Sequence, residues 1–225
     1  MPIKDDPALV IRKYNPRDRP AVRRICCATA LMGEPSSLFF DDDEIFADAL
    51  TIYFTDYEPE SCFVAERDNQ VIGYLLGAKD VKHMDKVFSG KIAAHLLIKA
   101  LRQGSLFRRK NMKFLSRVFS SLMKGEFKIP DFSKDYPATL HINIIKEYRM
   151  GGTGSGLIRA YLDYLRGQAV KGVHLATMSE GGGRFFSKLN FKLLFQAERS
   201  YFRYFLGRNV PVYIYGMKIP EKSFP

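Results

Sequence analysis

Residues 148–157, YRMGGTGSGL, place glycines at 151, 152, 154 and 156 between a strongly apolar run and a periodic, helix-forming one. Bare backbone where a buried strand gives way to a helix leaves N–H groups that the helix itself cannot use. Together with the positive end of the helix dipole these groups favour an anion, and glycine lets it approach closely. Phosphate binding is the chemistry this stretch suits, against the plain alternative of a turn whose glycines serve conformation alone. Two nucleotide-binding patterns are excluded. No Gly-Lys-Ser/Thr closes the stretch, so it is not a P-loop, and GGTGSG cannot be written Gly-x-Gly-x-x-Gly.

Other groups suited to chemistry are few. In ATLHINII the two-residue strand period puts Thr139, His141, Asn143 and Ile145 on one face. His141 is the candidate general base there, or else a hydrogen-bonded structural residue. Tyr201, Tyr204, Tyr213 and Tyr215 fall at strand spacing near the end of the chain, as acceptor-pocket lining or as packing. Cys26, Cys27 and Cys62 form neither an even disulfide framework nor a metal-ligand spacing, so they are expected to be reduced packing residues with no metal.

These residues need elements to position them. LVIRKYN reads as a strand, and PRDRPAVRRICCATAL as a helix opened by Pro and Asp. DDDEIFADALTIYFTDY reads as a second helix with acidic residues in its first turn. CFVAERDNQVIGYLLGA reads as two strands around a tight turn at RDNQ. KIAAHLLIKALR and SLFRRKNMKFLSRVFSSLMKG both have helical periodicity, the second with Phe114, Leu115, Val118, Phe119 and Leu122 as one apolar stripe. After Pro137 come strand ATLHINII, helix GSGLIRAYLDYLRGQAV, strand GVHLAT, short helix GGGRFFSKLN, and strands FKLLFQAERSYF and PVYIYGMKI. This is a mixed α/β order with one right-handed strand–helix–strand crossover. A chain of 225 residues, 46% of them hydrophobic, suffices for one domain (1–225) with a sizeable core. The start MPIKDDPALV carries no leader pattern and no apolar run is long enough to cross a bilayer, so a cytoplasmic location is expected.

Charge is unevenly placed within a formal total of +11. Residues 34–60 hold nine acidic and no basic side chains, whereas 82–134 hold thirteen basic against three acidic. The acidic stretch could draw in a cationic amine or merely solvate a helix face. The basic stretch could pack onto the core as a lid or meet an anionic surface. Nucleic acid is disfavoured, because positive charge alone does not select it.

Arg149-x-x-Gly152-x-Gly154 resembles the Arg/Gln-x-x-Gly-x-Gly/Ala signature of the GNAT superfamily of N-acetyltransferases. FFSKLNF, Phe185 to Phe191, stands where that superfamily has a pattern like Phe-Tyr-x-Lys-Leu-Gly-Phe. ALVIRKYNPRDRPAVRRICCATA, EPESCFVAE, VIGYLLGA and LHINII look in particular like bacterial GNAT proteins related to the acetyltransferase-like C-terminal domain of the nuclear O-GlcNAc hydrolase. The resemblance spans about 8–80 and 138–219 and leaves 81–137 as a basic helical insertion between the third and fourth strands. It implies the GNAT fold, a mixed, mostly antiparallel sheet of about seven strands flanked by helices, and acetyl-CoA or CoA as cofactor.

The resemblance further implies that backbone N–H groups of Arg149, Met150, Gly151, Gly152, Thr153, Gly154 and Ser155 cradle the cofactor pyrophosphate, with Arg149 closing one side. Ile144 and Ile145 would pair with the pantetheine arm in a splay between their strand and GVHLAT, the Ile145 N–H polarising the thioester carbonyl. Ser179 stands where relatives often have Asn before the short helix, and Phe186 where many have a Tyr thought to protonate the departing thiolate. Phe cannot do so, although a thiol with pKa near 8.5 leaves tolerably as thiolate. Asn190 replaces a Gly, a mild change because Asn tolerates left-handed backbone. The acceptor implied is a primary amine, on a small molecule or on a peptide or protein. The alternative implied by Phe186 is a catalytically impaired CoA-binding module.

Overall fold

The computed structural model describes residues 9–220, and the opening segment 1–8, read above as part of a start without a leader, lies outside them. In chain order the elements are β1 (Leu9–Lys13), α1 (Arg19–Ala28), α2 (Asp43–Ile52), β2 (Phe63–Arg67), β3 (Gln70–Ala78), α3 (Val81–Val87), α4 (Ala93–Arg102), α5 (Arg109–Met123), β4 (Ala138–Ile144), α6 (Thr153–Gly167), β5 (Gly172–Thr177), α7 (Glu180–Lys188), β6 (Lys192–Arg199), α8 (Arg203–Leu206) and β7 (Val210–Lys218). The strands form one sheet in the order β1-β2-β3-β4-β5-β7-β6. Every neighbouring pair is antiparallel except β4 with β5.

Local signals explain most of these elements. Asn15 caps the turn before α1 by accepting from the Arg17 N–H, and Asp42 caps α2 by accepting from the Ile45 N–H. Asp68 and Asn69 both take left-handed backbone (φ 50° and 61°), which twists the β2–β3 hairpin turn as its strands require. Helix α3 was not foreseen from the sequence. Asp80 caps it, and a wider π turn at Phe88–Ile92 carries it into α4. The strand expected over FKLLFQAERSYF stops at Arg199, and residues 203–206 form a short helical turn instead.

The sheet is covered on both faces. Leu157, Ile158, Tyr161 and Leu165 of α6 pack on Leu75, Leu140, Val173 and Leu175, while Val22, Ile25 and Cys26 of α1 pack on Val64, Tyr74 and Leu76. A third cluster joins Ala100 and Phe114 of the insertion to Leu31, Phe39, Phe40 and Phe202. The three cysteines are free and buried, and burial pushes their thiols up to about 11 for Cys26 and about 12 for Cys27 and Cys62. They are protonated packing groups, not nucleophiles.

Candidate functional site

The parallel pair β4–β5 is joined only at its start. Ala138 pairs with Val173 and Thr139 with His174, yet β4 runs on to Ile144 and β5 to Thr177. Beyond Thr139 the strands part, leaving one edge of β4 facing a gap. Buried Tyr161 of α6 pins the point of divergence, its one hydroxyl proton shared between the Thr139 carbonyl at 2.8 Å and the Ala78 carbonyl at 3.0 Å.

The glycine stretch lies where β4 ends and α6 begins. Gly152 precedes the helix at φ 84°, a left-handed conformation that glycine adopts without steric cost, and no side chain caps the helix. The first N–H groups of α6, at Thr153, Gly154 and Ser155, therefore have no side-chain cap or intrahelical acceptor. Gly154 is tightly enclosed: a Cβ there would sit 3.0 Å from the Phe185 ring and 3.3 Å from Ile144 Cδ1, so both neighbours would have to yield. Thr153 turns its hydroxyl to the Tyr148 carbonyl at 3.4 Å. Met150, also left-handed at φ 74°, points its side chain into solvent, and Gly151 has open space around it.

A diverging parallel pair beside an uncapped helix start offers peptide groups to a thin, extended ligand and N–H groups to its anionic end. The model of the acetyltransferase (GNAT) family matches residues 30–191. The chain belongs to the GNAT family. Acetyltransferases of this family use acetyl-CoA. The chain is similar to the crystal structure of SsHAT, at 26% identity and TM-score 0.69, over 96% of this chain and 100% of that one. It shares its fold with yncA from Salmonella typhimurium, described with its cofactor acetyl-CoA (13% identity, TM-score 0.58, 97% and 98% covered). A polyamine N-acetyltransferase of Drosophila melanogaster shares the fold too (14% identity, TM-score 0.60, 93% and 99% covered). No curated protein sequence matches the chain.

The GNAT frame exposes one misassigned donor. The Ile145 N–H, expected to face the thioester carbonyl, donates to the Ile72 carbonyl of β3 at 2.9 Å. Backbone groups alternate along an antiparallel strand, so Asn143 and His141 also turn theirs to β3, opposite Tyr74 and Leu76. Ile142 and Ile144 turn theirs to the gap. Ile142, absent from the sequence reading, and Ile144 are thus the residues of this strand end whose N–H groups face the gap. The Ile144 carbonyl accepts from Arg149 Nε at 2.9 Å. Arg149 turns back onto this strand end and onto Gly33, where a Cβ would lie 2.6 Å from its Nη1, so its side chain braces the loop after α1.

Ser179 accepts from the Gly182 N–H at 2.9 Å and caps α7. Phe186 is buried in a ring cluster with Phe185, Phe191 and Tyr215, at centroid distances of 5.1, 5.5 and 6.3 Å. Asn190 takes the left-handed backbone, φ 66°, that the glycine of the family pattern would take. Of the four tyrosines placed on strands, only Tyr213 and Tyr215 lie on one, β7; Tyr201 is in a turn and Tyr204 in α8.

His141 points to the α1 side of the sheet. Its ring lies 5.6 Å from that of Tyr74, and its Nε2 is 3.4 Å from Asn143 Nδ2, which donates to the Tyr74 hydroxyl at 2.9 Å. Burial pushes its pKa down to about 4, so the imidazole is neutral near pH 7.

Much of the acidic stretch is already paired within the chain. Asp48 is buried between Arg23 and Lys99, the latter at 2.6 Å, and Glu44 pairs with both. Burial opposes ionisation of Asp48, but hydrogen bonds from Lys99 and Arg23 outweigh it and hold its pKa below the usual range. Asp41 pairs with Lys110 at 2.5 Å, Asp56 with Arg19 and Glu60 with Lys79. Part of the contrast between acidic and basic stretches is thus one fastening: Lys99 and Lys110 hold the insertion against α2 and the loop before it.

Proposed function

We propose that this protein transfers the acetyl group of acetyl-CoA to a primary amine. The observation that carries the reading is the opening of β4 from β5 after Thr139, beside an uncapped α6. Bound acetyl-CoA would supply an activated acyl thioester. Uncapped N–H groups at Thr153, Gly154 and Ser155 suit its pyrophosphate, and the peptide edge at Ile142 and the Ile144 N–H suit the amides of its arm.

The Ile142 N–H, turned to the gap, would be available to an acyl oxygen there, a contribution fixed in the backbone before substrate arrives. His141, neutral and on the α1 side, would accept a proton from the incoming amine and release it to water, since a base of such low pKa does not retain it. Arg149 keeps the strand end in register by holding the Ile144 carbonyl. The acceptor is a primary amine on a small molecule, in line with the Drosophila polyamine enzyme of the same fold, or on a peptide or protein. The likeness to bacterial relatives of the O-GlcNAc hydrolase domain, carried by the segments 8–80 and 138–219, is our assignment within the family. We place the enzyme in the cytoplasm and read 1–225 as one domain.

Phe186 favours a second reading, a CoA-binding module without turnover, because no hydroxyl stands at that position. Thermal unfolding with acetyl-CoA and with CoA, followed by thiol release against polyamines, agmatine and a peptide amine, separates the two. Acetyl-CoA is expected to raise the Tm and an amine to release thiol. A raised Tm without thiol release supports the module, and no shift with either cofactor rejects both readings.

A further inference from the structure

The insertion spends its positive charge in two ways. Lys99, Arg108 and Lys110 turn inward to Asp48, the Asp41 carbonyl and the Asp41 carboxylate. Arg109, Lys113, Arg117 and Lys124 of α5 and the turn after it are exposed, and among the described residues none of them takes part in an ion pair.

The apolar residues of α5 divide in the same way. Asn111, Phe114, Val118 and Ser121 face the core, where Asn111 accepts from the Asp41 N–H and donates to the Ser105 carbonyl. Met112, Leu115, Phe119, Leu122 and Met123 are exposed, Phe119 to 63% and Met123 to 72%. At about 100° per residue these five fall in one arc, and Arg109, Lys113, Arg117 and Lys124 fall in the arc beside it. The outward face of α5 is therefore half apolar and half cationic, whereas a surface helix ordinarily keeps its polar residues there. Leu97, Ile98 and Leu101 give α4 a second exposed apolar stripe, flanked by Arg102, and Phe107 stands exposed at the joint between the helices.

We propose that the outward face of α5, aided by α4, docks on an anionic lipid bilayer. Each half of the face finds its partner there: Phe119, Leu122 and the methionines enter the acyl boundary, and the lysines and arginines meet headgroup phosphates and carboxylates. A second copy of the chain fits less well, because a twofold contact brings the same cationic arc to both partners. Nucleic acid would satisfy the cations but leave Met112, Leu115 and Leu122 without a matching surface.

The test is flotation of the full chain with phosphatidylcholine vesicles, with and without phosphatidylserine. Partition onto the anionic vesicles is expected to exceed that onto neutral ones by at least about tenfold at low salt, and to fall away near 1 M salt, where screening acts within about 3 Å. Phe119→Asp and, separately, Lys113→Glu with Arg117→Glu are each expected to cut partition by about tenfold. Phe119→Asp should not change the Tm, since its side chain is exposed, and the charge-reversed variant should lower it only by the loss of the Lys113 contact with the Tyr204 ring, 4.9 Å away. No partition at low salt, equal partition onto neutral vesicles, or indifference to both variants overturns the proposal. So does binding to an oligonucleotide but not to vesicles, or self-association abolished by Phe119→Asp without vesicle binding. Flotation requires no acetyl-CoA, so its outcome is independent of the acetyl-transfer reading.

Discussion

The two sides of the β4–β5 gap are made of different materials. Towards α6 the groups on offer are backbone ones, the peptide of Ile142, the Ile144 N–H and the uncapped first turn of the helix beside its glycines. Towards α1 they are side chains, His141, Asn143 and Tyr74, behind helices braced by Arg23, Asp48 and Lys99. A site made of backbone tolerates many side chains and recognises one invariant cofactor. A site made of side chains changes with each substitution, which is how one fold serves many acceptors.

Substitutions on each side should therefore separate cofactor binding from turnover. The largest effect is expected on the backbone side. Gly152→Val forces a β-branched residue to φ 84° and crowds the anion cradle. Acetyl-CoA affinity should fall at least about 100-fold, or ~3 kcal/mol, read as loss of the cofactor-dependent Tm shift. An unchanged shift would break the comparison.

Next comes His141→Gln, which should lower kcat about 10-fold to 100-fold and leave acetyl-CoA affinity unchanged. It also carries a pH signature. The His141 pKa falls from 6.5 to about 4 on folding, so between those values the unfolded chain binds more protons than the folded one. Stability contributed by keeping this ring neutral is complete above 6.5, declines as pH falls, and levels off below 4. The decline amounts to roughly 3 kcal/mol. His141→Gln should flatten it in urea midpoints taken across that window.

Asp48→Asn should cost about 2 kcal/mol by leaving Arg23 and Lys99 without their shared buried partner, while the acetyl-CoA Tm shift survives. The smallest effect is expected from Phe186→Tyr. It restores a hydroxyl within a buried ring cluster and should raise kcat by no more than about tenfold, with cofactor affinity unchanged. A fall in kcat would show that packing at this position outweighs acid catalysis.

Legibility followed the same division. Arg149-x-x-Gly152-x-Gly154, the hairpin turn at Asp68–Asn69 and the strand–helix–strand order after Pro137 were readable, because each is a local signal of conformation. The residues read as one apolar stripe on α5 are divided by the structure. Phe114 and Val118 go inside while Leu115, Phe119 and Leu122 stay out, because buried Asn111 and Ser121 have hydrogen-bond partners inside. Periodicity counts apolar residues and does not see that a satisfied polar residue can occupy an interior position. Nor did the opposed charge blocks reveal that part of each was meant for the other.

The sequence alone determined most of the elements, though not α3 or α8, together with the glycine-lined start of α6 and the family resemblance, since these depend on neighbours a few residues apart. Only the tertiary structure decided that Ile142 and not Ile145 offers its N–H to the gap. A strand's two-residue period fixes which residues alternate, but the phase is set by the hydrogen bond from Ile145 to Ile72. That bond joins residues more than seventy positions apart, and no pattern along the chain records it.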